Sequence, residues 1–474
     1  MLLNSPSPDF LNGLKELLGP QGWRAPEDTP EKFEEPRGKW QGHAALIVRP
    51  SSVAEVADVI GCAAAARVGV IPHSGGTGLV GGQVMQAGGP RPIVLSMERM
   101  NRIRDISPDD GVLVAEAGVI LADIQNAAAD VGRLFPLSLA SEGSCRIGGN
   151  LSTNAGGVQV LRYGNARDLC LGIEAVLPDG SIMHGLKRLR KDNTGYDLRH
   201  LLIGAEGTLG VITAAALKLF PRPQEIATAF LAVPDPASAV QLLNRLRDAL
   251  GDVVTAFELI DGVGLGFLEE ANMAQPLPFA AAPKWSVLVE AGGRAGVTEA
   301  LEAALADAFE LGLATDGAIA QTEAQRHTFW TIRETIPLAN KAVGAIASHD
   351  ISVPVGDIPR FVETAHAAFA RHDPTLRINC FGHVGDGNLH YNIYPPKGRS
   401  KAEFANQAAS VSRIVHDLTA EAGGSFSAEH GVGRLKVDDL ERYGDPGKLA
   451  AMRAIKAALD PAGIMNPGAV LRQN

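Results

Sequence analysis

The sequence has few cysteines and no long hydrophobic run. Its four cysteines, Cys62, Cys145, Cys170 and Cys380, are widely separated and form no CxxC pair. This spacing predicts neither a disulfide framework nor a cysteine-ligated zinc site. No apolar run reaches the length that spans a membrane. The first eight residues lack the charged start and apolar core of a signal peptide. We therefore expect a cytoplasmic protein without a transmembrane segment.

The sequence also lacks an excess of positive charge. It has 43 Lys and Arg against 53 Asp and Glu, for a net charge of −10. This balance gives no reason to expect binding to nucleic acid or to an anionic membrane surface. An anionic substrate would need locally placed cations. The length of 474 residues exceeds a single hydrophobic core, which indicates two domains.

Two stretches near the C-terminus, residues 380–391 and 427–433, contain most of the candidate catalytic and metal-binding residues. They contain the groups that a divalent metal and a proton transfer require, namely His383, His390, Glu429 and His430. The flanks of the first stretch predict two strands, and a glycine-rich reversal at 384–388 lets both imidazoles converge. A single histidine is more often structural or solvated, but four such groups beside glycine favour a metal or catalytic site. The residues alone do not choose between zinc, iron and manganese.

A glycine-rich loop near the N-terminus, residues 73–82, contains the Gly76-x-Gly78-x-x-Gly81 spacing of a dinucleotide fingerprint. A Rossmann site needs these glycines to open a helix. The following residues 82–90 cannot propagate a helix, so we reject that interpretation. The loop instead predicts backbone N–H groups that wrap a pyrophosphate directly.

The remaining pattern indicates two halves. Residues 141–157 are small and can admit a flat group, with possible hydrogen bonds from Ser144, Asn150, Thr153 and Asn154. The prolines near residue 222 mark a boundary, after which strands alternate with helices. We expect an antiparallel sheet there with helices on one face. Apolar spacing predicts helices over 8–19, 51–66, 121–131, 236–250, 297–311, 323–341, 401–422 and 446–459.

Six motifs occur in order along nearly the whole chain, at residues 74–82, 148–157, 204–210, 382–390, 429–433 and 466–468. Together they resemble the FAD-linked D-2-hydroxyacid dehydrogenases of the vanillyl-alcohol oxidase superfamily. This group includes D-2-hydroxyglutarate dehydrogenase, D-lactate dehydrogenase and the glycolate oxidase flavin subunit.

The resemblance implies an α+β fold with three parts. Residues 1–222 would form a PCMH-type FAD-binding domain of two subdomains. Residues 223–425 would form an antiparallel-sheet α+β substrate domain, or cap. Residues 426–474 would form a helical segment that returns to the FAD domain and completes the active site.

The resemblance also implies the residues that bind FAD. They are Ser74, Gly75, Gly76, Thr77, Gly78, Gly81, Gly82, Ser144, Gly148, Gly149, Asn150, Thr153, Asn154, Ala155, Gly157, Tyr163, Gly164, Glu206, Gly207, Gly210, Ile212 and Asn466. Some relatives tether the flavin through a histidine where this chain has Thr77. We therefore expect FAD to be bound noncovalently.

By the same resemblance, His383, His390 and Glu429 are the metal ligands, with zinc expected and manganese or iron as alternatives. His430 would be the base and contact the substrate, Asn388 would contact the substrate, and Arg333 would grip a carboxylate. The alternative for Arg333 is a helix-surface residue paired with Glu334 or another neighbour.

The implied reaction is oxidation of a D-2-hydroxy acid to the 2-oxo acid, with hydride transfer to FAD. The substrate would be D-2-hydroxyglutarate, D-malate or D-lactate. Ser348 and Pro337 replace a Lys and a Thr of the hydroxyglutarate-type pattern, which favours a shorter or less charged acid. The resemblance suggests an electron-transfer flavoprotein or a quinone-linked carrier as acceptor. The oligomeric state stays open, and a homodimer is expected only because dimers are the commonest oligomers.

Two other functions stay open at this stage. One is a flavin-binding subunit of a glycolate-oxidase-like complex, against which the intact histidines argue. The other is a metal-dependent hydrolase without flavin, which would leave the glycine-rich segments 148–157 and 204–210 unexplained.

Overall fold

The computed structural model describes residues 3–36 and 38–473, which divide into two compact units. Unit 1 comprises Met1–Gly156, Gly164–Arg222 and Glu429–Asn474, and unit 2 comprises Gly157–Tyr163 and Pro223–Ala428. The predicted ranges differ from this division at residues 157–163 and 426–428, which belong to unit 2. The predicted ranges also include Met1, Leu2, Arg37 and Asn474, which lie outside the described residues.

The α-helices, in chain order, are α1 Pro8–Leu18, α2 Val53–Ala66, α3 Leu121–Asp130, α4 Ile147–Ser152, α5 Val160–Tyr163, α6 Leu198–Leu202, α7 Pro236–Leu250, α8 Gly262–Glu270, α9 Val297–Glu310, α10 Glu323–Val343, α11 Ile358–His372, α12 Ala408–Glu421, α13 Val437–Tyr443 and α14 Pro446–Leu459. The strands are β1 Trp23–Arg24, β2 Leu46–Val48, β3 Val70–His73, β4 Ile93–Ser96, β5 Ile103–Ser107, β6 Val112–Glu116, β7 Arg133–Leu134, β8 Cys170–Val176, β9 Ile182–Gly185, β10 Val211–Lys218, β11 Phe220–Pro221, β12 Glu225–Val233, β13 Val254–Asp261, β14 Trp285–Gly293, β15 Asp316–Ile319, β16 Asp350–Ser352, β17 Arg377–His383 and β18 Asn388–Tyr394. Within residues 3–36 and 38–473, each helix is too short or too polar to cross a membrane.

Unit 1 contains two larger sheets. The first has the order β1-β2-β4-β3, with β4 parallel to both β2 and β3. The second has the order β5-β6-β10-β8-β9 and is antiparallel throughout. Helices α1 and α2 bury Leu14, Val56 and Ile60 in a core that also includes Val211 of the second sheet. This core places the loop after β3 beside the second sheet.

Unit 2 is built on one seven-stranded sheet with the order β15-β12-β14-β13-β17-β18-β16. All its pairs are antiparallel, as the sequence predicts, and the α+β class is confirmed. The prediction of helices on one face is wrong. Leu231 packs with the buried residues of α7 and α9, whereas its neighbour Phe230 packs with those of α8 and α10. Because the strand is apolar on both sides, both faces of the sheet need cover.

Residues close in sequence determine several helix ends. The Ser52 side chain accepts a 3.2 Å hydrogen bond from the backbone N–H of Glu55 at the start of α2. Asp445 caps α14 in the same way, with Pro446 in the first helical position. The predicted long helix over 401–422 is wrong in its first part. Lys401–Gln407 form a 3-10 helix in which only Phe404 is buried, and α12 begins at Ala408.

Candidate active site

A cleft within unit 1 is bordered by three glycine-rich segments that the sequence singled out. The loop after β3 contains no helix between residues 74 and 92, which confirms the rejection of a Rossmann site. The cleft is lined by the predicted cofactor residues Ser74, Gly75, Gly76, Thr77, Gly78, Gly82, Gly148, Gly149, Asn150, Thr153, Glu206, Gly207, Gly210, Ile212 and Asn466. The predicted base His430 lines the same cleft.

The first two segments approach each other closely. The backbone N–H of Gly149 donates a 3.1 Å hydrogen bond to Ser74 Oγ. A Cβ at Gly75 would lie 2.6 Å from the carbonyl oxygen of Ser144, so no side chain fits there. The glycine therefore lets the two loops meet and leaves their remaining backbone groups for a ligand.

Seven predicted cofactor residues do not border this cleft, namely Gly81, Ser144, Asn154, Ala155, Gly157, Tyr163 and Gly164. Gly157 and Tyr163 belong to unit 2. Asn154 Oδ1 accepts a 2.9 Å hydrogen bond from the backbone N–H of Arg167, and Ser144 Oγ donates to the carbonyl of Ser141. These two side chains are therefore engaged by the protein itself.

The loop that carries His430 is held by Glu206. The two oxygens of Glu206 accept hydrogen bonds from the backbone N–H groups of Val432 and Gly433, each at 2.7 Å. Burial raises the pKa of Glu206, although these two N–H groups act in the opposite direction. His430 Nε2 lies 3.7 Å from an oxygen of the adjacent Glu429, and both residues are on a loop. Glu206, which was predicted to bind FAD, therefore positions the loop that carries the predicted base His430.

Arg434 holds the same loop against the glycine segment. Its guanidinium donates to the carbonyls of Gly81 and Gly82, at 2.9 and 2.7 Å, and to Asn466 Oδ1 at 2.8 Å. Burial lowers the pKa of Arg434 to about 10, against the opposing effect of Glu206. Sequence reasoning missed this residue, although it directly follows the 429–433 motif.

In unit 2, the predicted hairpin brings two histidines together. His383 ends β17, His390 lies in β18, and the two strands are joined by the turn at Val384–Asp386. The ring centroids of the two histidines are 5.8 Å apart. The predicted convergence of the imidazoles is therefore confirmed within this unit.

A buried carboxylate contacts one of these histidines and the predicted clamp. Glu258 Oε1 lies 2.6 Å from His383 Nδ1, and Glu258 Oε2 accepts a 2.8 Å bond from Arg333 Nε. Burial alone would raise the pKa of Glu258, but His383 and Arg333 lower it to about 2. Arg333 is 5% exposed, so the alternative of a helix-surface arginine is wrong.

Asn388 is also tied into unit 2. Its amide nitrogen donates to Asp350 Oδ1 at 2.9 Å and to the carbonyl of Ile351 at 2.8 Å. Its Oδ1 is buried and has no partner among the described residues. Any contact of this side chain with a substrate would therefore use the oxygen as an acceptor.

Comparison with known proteins identifies the family. The profile "FAD linked oxidases, C-terminal domain" matches residues 222–470, and the profile "FAD binding domain" matches residues 44–185. The chain is 37% identical over 472 residues to D-2-hydroxyglutarate dehydrogenase of Stutzerimonas stutzeri, covering 98% of this chain and 99% of the relative. It is 36% identical to a probable mitochondrial D-2-hydroxyglutarate dehydrogenase of Oryza sativa subsp. indica, covering 100% of this chain and 83% of the relative. The chain belongs to the FAD-linked D-2-hydroxyacid dehydrogenases.

Solved structures of more distant flavoproteins share the fold of this dehydrogenase. p-Cresol methylhydroxylase with bound substrate superimposes with a TM-score of 0.76 at 16% identity, covering 99% of this chain and 98% of that chain. Alkyldihydroxyacetonephosphate synthase gives a TM-score of 0.76 at 19% identity, covering 98% and 85%. The PCMH-type fold implied by the sequence is confirmed.

The cleft in unit 1 of the dehydrogenase fits FAD. Two buried polar atoms that border it, His73 Nδ1 and Asn150 Oδ1, have no hydrogen-bond partner in the described part of the chain. Unpaired buried polar atoms are costly unless a ligand completes them. His73 was not among the predicted cofactor residues, and its position directly before Ser74 was the available signal.

The buried His73 gives a prediction for acid stability. Burial, assisted by the charge of Lys32, lowers the pKa of His73 to about 4 from an ordinary value of 6.5. Between pH 6.5 and 4, His73 is therefore protonated in the unfolded chain but neutral in the folded chain. Folding becomes less favourable as the pH falls through this range, because folding must release that proton. We expect the free energy of unfolding of the wild type to fall by about 3 kcal/mol more than that of His73→Gln across it. Urea unfolding followed by tryptophan fluorescence measures both, and parallel pH profiles would contradict the assignment.

Proposed function

We propose that this dehydrogenase oxidises its D-2-hydroxy acid with the help of a divalent metal held by His383, His390 and Glu429. The observation that supports a metal is the contact of His383 Nδ1 with Glu258 at 2.6 Å. A carboxylate on one ring nitrogen is the usual support of a histidine whose other nitrogen binds metal. The second imidazole lies beside it, with ring centroids 5.8 Å apart. Two imidazoles and a carboxylate suit zinc, with manganese and iron as alternatives.

The chain path supports Glu429 as the third ligand. The backbone N–H of Ala428 donates a 3.2 Å hydrogen bond to the carbonyl of Asp350. Asp350 is the residue directly across from His390 in the β16–β18 pair. Glu429 is the next residue along the chain after Ala428.

The proposed reaction divides the work among a few side chains. When bound, FAD would supply the acceptor for the hydride from C2, and a metal held by His383, His390 and Glu429 would lower the pKa of the 2-hydroxyl. His430, which lines the cofactor cleft, takes the hydroxyl proton as the general base. Arg333 grips a carboxylate of the substrate through its terminal nitrogens. The buried oxygen of Asn388 can accept a hydrogen bond from the substrate.

The three candidate substrates, D-2-hydroxyglutarate, D-malate and D-lactate, differ in chain length and charge. The names of the relatives support D-2-hydroxyglutarate. Ser348 and Pro337 favour D-malate or D-lactate, because Ser348 lacks the cation and Pro337 lacks the hydroxyl that the hydroxyglutarate-type pattern has at these two positions. Both residues are exposed, and Pro337 lies four residues after Arg333 on α10.

Anaerobic reduction of the flavin by a panel of acids tests this function. We expect one of D-2-hydroxyglutarate, D-malate and D-lactate to bleach the flavin absorbance rapidly, while the matching L-acid does not. The D-acid that reacts fastest assigns the chain length. Failure of all D-acids to bleach a flavin that dithionite still reduces would contradict the proposal.

The electron acceptor and the cellular setting complete the proposal. We propose an electron-transfer flavoprotein or a quinone-linked carrier as acceptor, a homodimer as the assembly and the cytoplasm as the location. The support is the family resemblance for the acceptor, the prevalence of twofold dimers among soluble oligomers for the assembly, and four cysteines that form no disulfide for the location.

A further inference from the structure

The carboxylate of Glu258, in the centre of unit 2, contacts both the proposed metal ligand His383 and the proposed substrate clamp Arg333. Glu258 lies on β13 directly across from His383 of β17, and its side chain is fully buried. Its two oxygens have different partners, His383 for Oε1 and Arg333 for Oε2. The neighbouring Phe257 and Leu259 are buried apolar residues of the core. A charge in such a strand is costly to bury, and replacing a buried ion pair by apolar residues is often neutral or stabilising. Stability alone therefore does not account for it.

The contact with Glu258 fixes which ring nitrogen of His383 carries the hydrogen. Nδ1–H donates a hydrogen bond to Glu258 Oε1, so the lone pair of a neutral imidazole lies on Nε2. The tautomer follows from the hydrogen-bond network, since the carboxylate can only accept. The 2.6 Å contact also restricts rotation of the imidazole ring.

The contact with Arg333 fixes the guanidinium in a comparable way. The bond to Glu258 uses Nε, and the guanidinium carbon lies 5.1 Å from the centroid of the Phe381 ring. Within the described residues, the terminal nitrogens of Arg333 have no hydrogen-bond partner. The side chain is therefore clamped through its inner nitrogen, while the two outer nitrogens are left for a carboxylate.

We infer that Glu258 is a positioning residue that sets the metal-binding imidazole and the carboxylate-binding guanidinium relative to each other. The inference rests on the proposed function, because it takes His383 as a metal ligand and Arg333 as a substrate contact. Since the two oxygens belong to one rigid carboxylate, a shift of either partner is resisted by the other. Substrates in which a carboxylate lies close to the reacting hydroxyl, as in 2-hydroxy acids, fit such a fixed pair.

The test replaces Glu258 by glutamine in the full-length FAD-bound enzyme. Glutamine keeps the shape but offers one acceptor oxygen, so it cannot serve both His383 and Arg333. We expect the affinity of the metal-free protein for zinc, measured by competition with a chromogenic chelator, to fall about 10- to 100-fold. At saturating zinc, KM for the D-acid should rise as well. Far-UV circular dichroism and thermal unfolding show whether the variant has folded.

A matched control comes from the next strand of the same sheet. Glu290 on β14 is also a buried carboxylate and accepts a 2.8 Å bond from Trp330 Nε1 and a 3.1 Å bond from Thr228 Oγ1. Glu290→Gln removes a buried charge without touching the proposed site. We expect its zinc affinity and KM to match the wild type even if its thermal stability falls. An equal loss of zinc affinity in both variants would reduce Glu258 to a structural ion pair.

A second variant separates the effect on substrate binding from the effect on zinc binding. It also keeps the inference testable if Glu258→Gln does not fold. Arg333→Lys keeps the charge but cannot bond Glu258 and grip a carboxylate in the same fork geometry. We expect it to raise KM about 10-fold or more while zinc affinity stays near that of the wild type. Unchanged zinc affinity in Glu258→Gln, or unchanged KM in Arg333→Lys, would overturn the inference. Failure of the proposed function is distinguishable, because the wild type itself would then bind no zinc.

Discussion

Asparagine in place of His430 lowers kcat by two to four orders of magnitude while FAD stays bound. The size follows from the usual contribution of a positioned general base. His430 borders the cofactor cleft on a loop that Glu206 holds through two backbone N–H groups. Asparagine fills part of the same space and can hydrogen-bond, but it cannot take the hydroxyl proton. The effect should appear in the rate of anaerobic flavin reduction by the D-acid.

The control for His430 is His200, an exposed histidine of the same unit that does not line the cleft. His200→Asn should reduce the flavin at the wild-type rate. Flavin reduction by His430→Asn within a few-fold of the wild type would remove His430 from the role of base. Loss of FAD from the variant would show that the residue supports the cleft instead.

Alanine in place of His383 removes bound metal and lowers turnover by about 1,000-fold or more. A catalytic metal contributes several kcal/mol to stabilising the developing charge, and each 1.36 kcal/mol is a factor of ten in rate. Alanine also leaves the buried Glu258 with one partner fewer, so the ligand environment cannot re-form around the remaining histidine. Metal content by elemental analysis and flavin reduction measure the two losses together.

Metal removal from the wild type provides the parallel measurement for His383. Dialysis against a chelator should give the same loss of turnover, and zinc should restore the wild type but not His383→Ala. His372, exposed at the end of α11 in the same unit, is the matched control, and its replacement by alanine should change neither metal content nor rate. Full turnover by metal-free wild type would contradict a role for metal.

Much of the local structure could be predicted because its causes lie close together in the sequence. The cap at Ser52, the cap at Asp445 and the turn at 384–386 each depend on residues within a few positions. The glycine loop after β3 was correctly separated from a Rossmann site because its following residues cannot form a helix. The six ordered motifs were sufficient to indicate the family.

The features that the sequence does not predict depend on contacts between residues that are far apart in the chain. Glu258 contacts a histidine 125 residues away, and nothing around it in the sequence marks it as part of the site. Arg434 bonds the carbonyl of Gly81 across 353 residues. The cover on both sheet faces was missed because the continuous apolar pattern of β12 does not show which helices will pack on each side.

The central claim is that hydrogen leaves C2 of a D-2-hydroxy acid for the flavin. The most direct measurement is anaerobic stopped-flow reduction of the flavin by the preferred D-acid carrying either hydrogen or deuterium at C2. Deuterium at C2 should slow the reduction markedly, whereas deuterium at other carbons should not. Oxidation of the acid without any change in flavin absorbance would contradict this claim.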